Sequence, residues 1–430
     1  MTDAPLLSRS WYDTLTANRY HSEMRTDRPD LSAAAKQRGL IVVLVDTFLM
    51  WGGFFMVIPL VSVHYVDALG WTAASVGLVL AVRQFTQQGM TPLSGVLADR
   101  LGAKGLICGG MFLRALGFAL MAWATTYPLL MASAVLAAVG GGCFEAPKYA
   151  ATAALTDEHN RGRFYSLVGV VGGLGVTAGT QLGALLLRAD FALVALAAAG
   201  CFGLGSLITL VFLPNVQVAT ESRGLTYGLG LALRDRPFMT YSVLLIGYWF
   251  LWVQFLISLP LAATAIGGPR SVGWVYAINS GMTVLLGYPL LRLAERHMRP
   301  LSILVLGVAL MGLGYGSVGL VGSVGPLLGC VVLISAGVLL AFPSQQTVTA
   351  NLANPATLGS YFGVNALALA IGGGLGNLSG GLLYDLGQGL KAPALPWLTI
   401  AAVGLLTAVG LGVFAYQLRS ARPEPVRVVD

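Results

Sequence analysis

The chain has 430 residues, of which 56% are apolar and only 10% are charged. A soluble domain carries roughly 25% charged residues, so this composition excludes a solvated globular surface and points into a bilayer. The net charge of +7 is scattered over loops instead of forming a patch, which argues against nucleic-acid binding and leaves a topology signal.

Residues 1–38 are polar and mixed in charge, and read as a cytoplasmic tail without the apolar core of a signal peptide. Beyond them, windows of about 20 apolar residues, the length needed to cross the hydrocarbon core, predict twelve transmembrane helices. They fall at 39–62, 73–95, 104–124, 128–150, 164–187, 191–213, 238–264, 272–291, 301–321, 326–347, 359–384 and 395–416. Continuous apolar runs exclude the alternating pattern of a membrane barrel. The expected architecture is an all-α membrane protein of two six-helix bundles. They occupy 39–213 and 238–416, joined by a cytoplasmic linker at 214–237 and followed by a tail at 417–430.

Twenty of the 25 Lys and Arg fall on the face that holds the termini, including Lys36, Arg38, Arg161, Arg163, Arg234 and Arg299, and two, Arg83 and Arg114, fall in mid-span. The opposite face has only Arg188, Arg270 and Lys391. The positive-inside rule therefore predicts cytoplasmic termini and a location in the cell inner membrane. The four cysteines, Cys108, Cys143, Cys201 and Cys330, lie in apolar stretches at irregular spacing. They suit packing better than a disulfide framework or a zinc site.

Span 1 carries Asp46, span 2 Arg83, span 3 Arg114 and span 4 Glu145. Ionisable groups at membrane depth are costly and mark function by default; a static network locking the helices is the alternative. Two acids and two bases sum to zero charge, which makes their burial tolerable if they pair. Arg83, Gln84, Gln87, Gln88, Thr91 and Ser94 form a polar stripe at helical spacing, which belongs toward the interior. The second half offers only neutral polar groups in mid-span, among them Gln254, Asn279 and Asn365. This asymmetry suggests that the first half handles protons while the second shapes the cavity. Trp51 and Tyr248, with Gln84, Gln87, Gln254, Asn279 and Asn365, are the candidate cavity residues. Gly140–Gly142 and Gly372–Gly374 read as packing or hinge points, because neither follows a strand as a phosphate loop would.

The halves repeat at an offset of about 196 residues: Leu97-Ala98-Asp99-Arg100 matches Leu293-Ala294-Glu295-Arg296, and Gly162-Arg163-Phe164-Tyr165 matches Gly359-Ser360-Tyr361-Phe362. A parallel repeat of this kind places a substrate site between the halves near the bilayer midplane.

Between spans 2 and 3 the chain reads Gly95-Val96-Leu97-Ala98-Asp99-Arg100-Leu101-Gly102-Ala103-Lys104. This resembles the loop signature of the major facilitator superfamily, and much of residues 39–416 is similar to its drug:proton antiporter branch. The resemblance implies that Asp99 faces the positive end of span 11, near Gly359 and Ser360. Gly95, Asp99, Arg100, Gly102 and Lys104 would then form a cytoplasmic gate. Two features depart from the branch. Span 4 has no arginine, and in the span 5 series Gly175, Gly179, Gly183 a threonine, Thr180, replaces the expected proline.

The expected function is proton-coupled export of small amphipathic or drug-like molecules, hence multidrug efflux and antibiotic resistance. Proton-coupled uptake of a metabolite on the same scaffold is the alternative. Neither calls for a cofactor beyond the proton gradient, nor for a partner beyond substrate, protons and lipid, and a monomer suffices. No metal cluster, nucleotide loop or nucleophile–base pair suggests an enzyme.

Overall fold

The computed structural model describes residues 31–156, 158–215, 225–353 and 358–420. The first half contains α1 (Ala33–Ser62, continued by a π turn, Val63–Ala68), α2 (Ala73–Leu101), α3 (Ala103–Met121), α4 (Tyr127–Leu155), α5 (Glu158–Leu186) and α6 (Phe191–Phe212). A short α7 (Leu225–Arg234) follows. The second half contains α8 (Arg236–Gln254), α9 (Ser258–Gly267), α10 (Pro269–His297), α11 (Pro300–Val318), α12 (Val324–Leu352), α13 (Leu358–Gly389) and α14 (Leu395–Ser420).

Successive helices run antiparallel. Gly39, early in α1, lies against Leu155 at the end of α4 and Pro214 just past α6, which fixes one face, here the terminal face. At the far face the Tyr65 hydroxyl donates to the Ala124 carbonyl at 2.8 Å. Its ring also meets Trp71 and Phe191, so the ends of α1 and α3 join the starts of α2 and α6. The helix starts are locally specified. Asp190 accepts from the Ala192 amide and Asp235 from the Phe238 amide, each at 3.1 Å, satisfying first-turn donors that a helix cannot pair itself. Pro237, Pro269 and Pro300 stand in the first turns of α8, α10 and α11, where a missing N–H costs nothing.

Ten helices among the described residues are long and apolar enough to cross a membrane. The two other predicted spans form α2 and α10, each of 29 residues. That length is about 43 Å at 1.5 Å per residue, ample for the roughly 30 Å core. Their composition is what falls short, and their packing explains it. α2 packs on α13 and α10 on α5, so both helices stand between the halves. Polar residues there face protein, which lipid would not tolerate.

Two local features differ from expectation. Span 7, predicted as one helix over 238–264, breaks at Phe255–Ile257 into α8 and α9. Pro260 has no N–H and its ring opposes the carbonyl four residues back. The Gln254 amide stitches the break, donating to the Phe250 carbonyl at 3.2 Å and the Gly376 carbonyl at 2.9 Å, while Ser258 donates to its Oε1 at 2.6 Å. The linker predicted at 214–237 contains a helix, α7, which packs on α13 with Ala232 fully buried.

Close approach of backbones sets the rest of the packing. A Cβ on Gly179 would collide with the Gly52 carbonyl, and one on Gly175 would come 2.6 Å from the Phe48 carbonyl. The span 5 glycine series therefore seats α5 on α1, and Thr180, in the proline's place, donates to the Val176 carbonyl at 2.9 Å.

Candidate coupling site and the contacts between the halves

Arg114 lies inside a box of rings. Its guanidinium carbon is 5.0 Å from the Phe54 centroid, 5.1 Å from Phe202, 5.6 Å from Phe144 and 5.8 Å from Phe118. Four helices supply those rings: α1, α6, α4 and α3 itself, one turn on from the arginine. Each cation–π contact is worth about 0.5–2 kcal/mol, more where water is excluded. Arg83 shares Phe54, 5.3 Å from its centroid, so one ring lies near both cations.

Glycines make this arrangement possible. A Cβ on Gly141 would strike Arg114 Nη1 and come 3.1 Å from the Gln87 side-chain carbon. One on Gly140 would come 2.6 Å from the Gly110 carbonyl, and one on Gly142 2.7 Å from the Gln87 carbonyl. The predicted packing glycines of span 4 thus let α4 close on both α3 and α2. The branch's span 4 arginine is missing from the sequence, and a guanidinium from α3 lies here against the bare backbone of α4.

A hydrogen-bonded chain runs from the box toward the terminal face. Arg83 donates through Nη2 to Gln84 Oε1 at 3.0 Å and through Nη1 to Gln87 Oε1 at 3.1 Å. Gln87 Nε2 then donates to Glu145 Oε2 at 3.3 Å. Arg83, Gln84 and Gln87 are buried, whereas Glu145 is half-buried. The Nε atoms of Arg83 and Arg114 are buried without a partner among the described groups. Such orphans are rare and leave donor capacity for water or substrate.

Asp46 stands apart from the arginines. Its Oδ2 accepts from Thr209 of α6 at 2.6 Å, and its buried Oδ1 has no partner among the described groups. The link between the two sets is Lys148, buried on α4 and interacting electrostatically with both Asp46 and Glu145. In the sequence Lys148 stands near the terminal-face end of span 4. Its position one helical turn from Glu145 was the available signal.

The candidate cavity residues separate into groups. Gln84 touches the other half, its side chain 3.3 Å from where a Gly373 Cβ would stand. Trp51 and Asn279 are half-buried. Asn365 donates to Gln345 Oε1 at 3.0 Å within the second half. Tyr248 and Gln254 have no exposed surface; the Tyr248 ring lies tilted against Trp249, 4.8 Å between centroids, and Gln254 stitches the α8–α9 break.

Of the terminal-face motif, Gly102 has φ +80° and forms the one-residue turn between α2 and α3, while Lys104 is half-buried in the first turn of α3. The side chains of Gly95, Asp99 and Arg100, and the surroundings of Gly359, lie outside the described residues.

At the far face a clasp joins the halves, unanticipated from sequence. The backbone amides of Ala73 and Ala74, opening α2, donate to Asp385 Oδ1 and Oδ2 at 3.0 and 2.7 Å. The carboxylate comes from the end of α13, and sits at the positive pole of α2. Gly381 and Gly77 permit the approach: a Cβ on Gly77 would come 2.5 Å from the Asn377 carbonyl, and one on Gly381 would strike the Ala73 carbonyl. Gln181 Nε2 of α5 adds a bond to the Gly273 carbonyl of α10 at 3.0 Å. The signal available was an acid near the end of one predicted span and first-turn amides at the start of another, of which Thr72 takes only that of Ser75, at 3.2 Å.

Two halves built of apolar helices, with buried charge in one and polar helices between them, define a multi-pass membrane transporter. The chain belongs to the Major Facilitator Superfamily, which it matches over residues 43–376 and again over 252–429. It is 40% identical over 382 residues, 89% of its length, to the multidrug resistance protein MdtH of Photorhabdus laumondii, of which it covers 95%. It is 38% identical over 389 residues to the MdtH of Escherichia coli O9:H4, covering 90% of this chain and 97% of that protein. Among solved structures, a POT family transporter in complex with 5-aminolevulinic acid superposes with a TM-score of 0.74 at 16% identity, covering 89% of this chain and 96% of that one. A mutant form of the nucleoside transporter NupG gives a TM-score of 0.74 at 15% identity, covering 88% of this chain and 99% of that one. These two likenesses show the fold alone.

Proposed function

We propose that this protein is a proton-coupled exporter of drug-like molecules in the cell inner membrane, with cytoplasmic termini. The carrying observation is the chain Arg83–Gln87–Glu145, which joins a half-buried carboxyl to a buried guanidinium through one amide at membrane depth. Similarity over nine-tenths of the chain to multidrug resistance proteins supports the substrate class. The loop charges support the orientation.

Alternating access needs a face that closes and reopens. The Asp385 clasp closes the far face, which the charge rule makes periplasmic, and the same face carries the Gln181 bond. In the reading proposed here, substrate enters from the terminal face while the clasp holds. A proton reaching Glu145 or Asp46 from the far face then accompanies the return of the empty carrier. Lys148, placed to interact with either carboxyl, lets the state of one be felt by the other. At roughly 100 mV, one charge crossing is worth about 2.3 kcal/mol, enough to bias such a cycle.

The test is uphill transport. Proteoliposomes with an imposed pH gradient should move a lipophilic cationic dye against its concentration gradient, and an uncoupler should stop it. Gradient-driven accumulation of a metabolite, with no dye movement, would instead establish uptake.

A further inference from the structure

On the outer surface of the first half, α1 and α6 leave a groove of about 440 Å³ at the terminal face. This is within the roughly 300–1,000 Å³ of small-molecule sites. Its lining changes character along its length. Ile41, Val45, Ile208 and Phe212 form the deeper wall, and Gln37 and Arg38 the mouth. Residues 34, 38, 41 and 45 recur at helical spacing on one side of α1, and 208 and 212 on one side of α6. The apolar part continues into an exposed belt that includes Phe48, Leu204, Leu207 and Val211, so hydrocarbon reaches the groove from the membrane itself. The mouth is cationic. Arg38 is exposed, and no described carboxylate pairs with it.

We propose that this groove binds one anionic phospholipid, its phosphate on the Arg38 guanidinium and an acyl chain along Ile41, Val45 and Phe212. A planar guanidinium presents paired donors that match phosphate oxygens, and Gln37 adds a neutral donor beside it. An anionic headgroup at the mouth supplies the charge the lining lacks, which a zwitterionic one does only in part. The site has a structural consequence. On the inner side of the same two helices, Thr209 of α6 bonds Asp46 of α1 at 2.6 Å. A lipid bridging the outer side holds those helices together from behind that bond. The proposal needs only the membrane location, not the direction of transport.

Native mass spectrometry of the purified full-length protein tests it, with phosphatidylglycerol and phosphatidylcholine added separately. The wild type should keep phosphatidylglycerol adducts at collision energies that strip phosphatidylcholine. Arg38→Ala should lower phosphatidylglycerol retention several-fold, and Arg38→Lys should recover part of it. Val45→Trp, which fills the groove and leaves the charge, should also lower retention. Arg299→Ala, on the second half, should match the wild type. Equal retention of the two lipids by the wild type, or wild-type retention of phosphatidylglycerol by both Arg38→Ala and Val45→Trp, would overturn the assignment.

Discussion

The amide of Ala73 donates to the carboxylate of Asp385 at 3.0 Å across 312 residues of sequence, so the first turn of α2 in one half is held by the last turns of α13 in the other. A helix N-cap normally comes from the residue before the helix and contributes about 1 kcal/mol. Thr72 supplies such a cap to the Ser75 amide at 3.2 Å, whereas the Ala73 and Ala74 amides are satisfied by the other half, a bond that opening of this face would break. Asp385→Ala should therefore shift the two-state balance toward an open far face by about 1 kcal/mol, roughly a fivefold change in the population ratio. Spin labels at the exposed positions 69 and 390 should report a larger long-distance fraction in the variant. An unchanged distance distribution would show that the clasp does not hold this face.

Gly141 and Arg114 give a second prediction. A methyl at 141 has no room beside Arg114 Nη1, so Gly141→Ala should displace the guanidinium from its rings. Transport should fall sharply while expression and membrane insertion stay near wild type. Arg114→Lys keeps the charge but loses the planar face that lies among four rings, and should be impaired as well. Wild-type turnover in both variants would remove Arg114 from the site.

Thr209→Val removes the hydrogen bond to Asp46 and leaves both carboxylate oxygens without a described partner. Interhelical hydrogen bonds in membranes average about 0.6 kcal/mol and reach about 1.7. A loss toward the upper end is expected, because the group left behind is a buried carboxyl. Unfolding in mixed micelles measures it, and an unchanged midpoint would mean that Asp46 finds another partner.

Much of this was legible in the sequence for identifiable reasons. Apolar run length marks ten of the spans, and the polar stripe through Arg83, Gln84 and Gln87 marks the interior face of α2 because helical spacing alone decides it. The break at Phe255–Ile257 was missed although Pro260 was visible, since a proline inside a long apolar run either kinks or breaks a helix according to its neighbours. The four charges of the first half do not form one group: Arg83 reaches Glu145 through Gln87 and shares the Phe54 ring with Arg114, whereas Asp46 bonds Thr209. The cost of an ionisable group in lipid shows that Asp46 faces inward. It does not show that α6 offers Thr209 at that depth. The space at Gly141 that Arg114 occupies is a property of two helices in contact, and no single-helix pattern contains it.

The proton-coupling role proposed for Glu145 is tested most directly by uphill dye transport in proteoliposomes under an imposed pH gradient, comparing the wild type with Glu145→Gln and Asp46→Asn. Glu145→Gln should lose gradient-driven accumulation yet still exchange dye for dye without a gradient, as an intact carrier uncoupled from protons would. Accumulation at the wild-type level in both variants would contradict it.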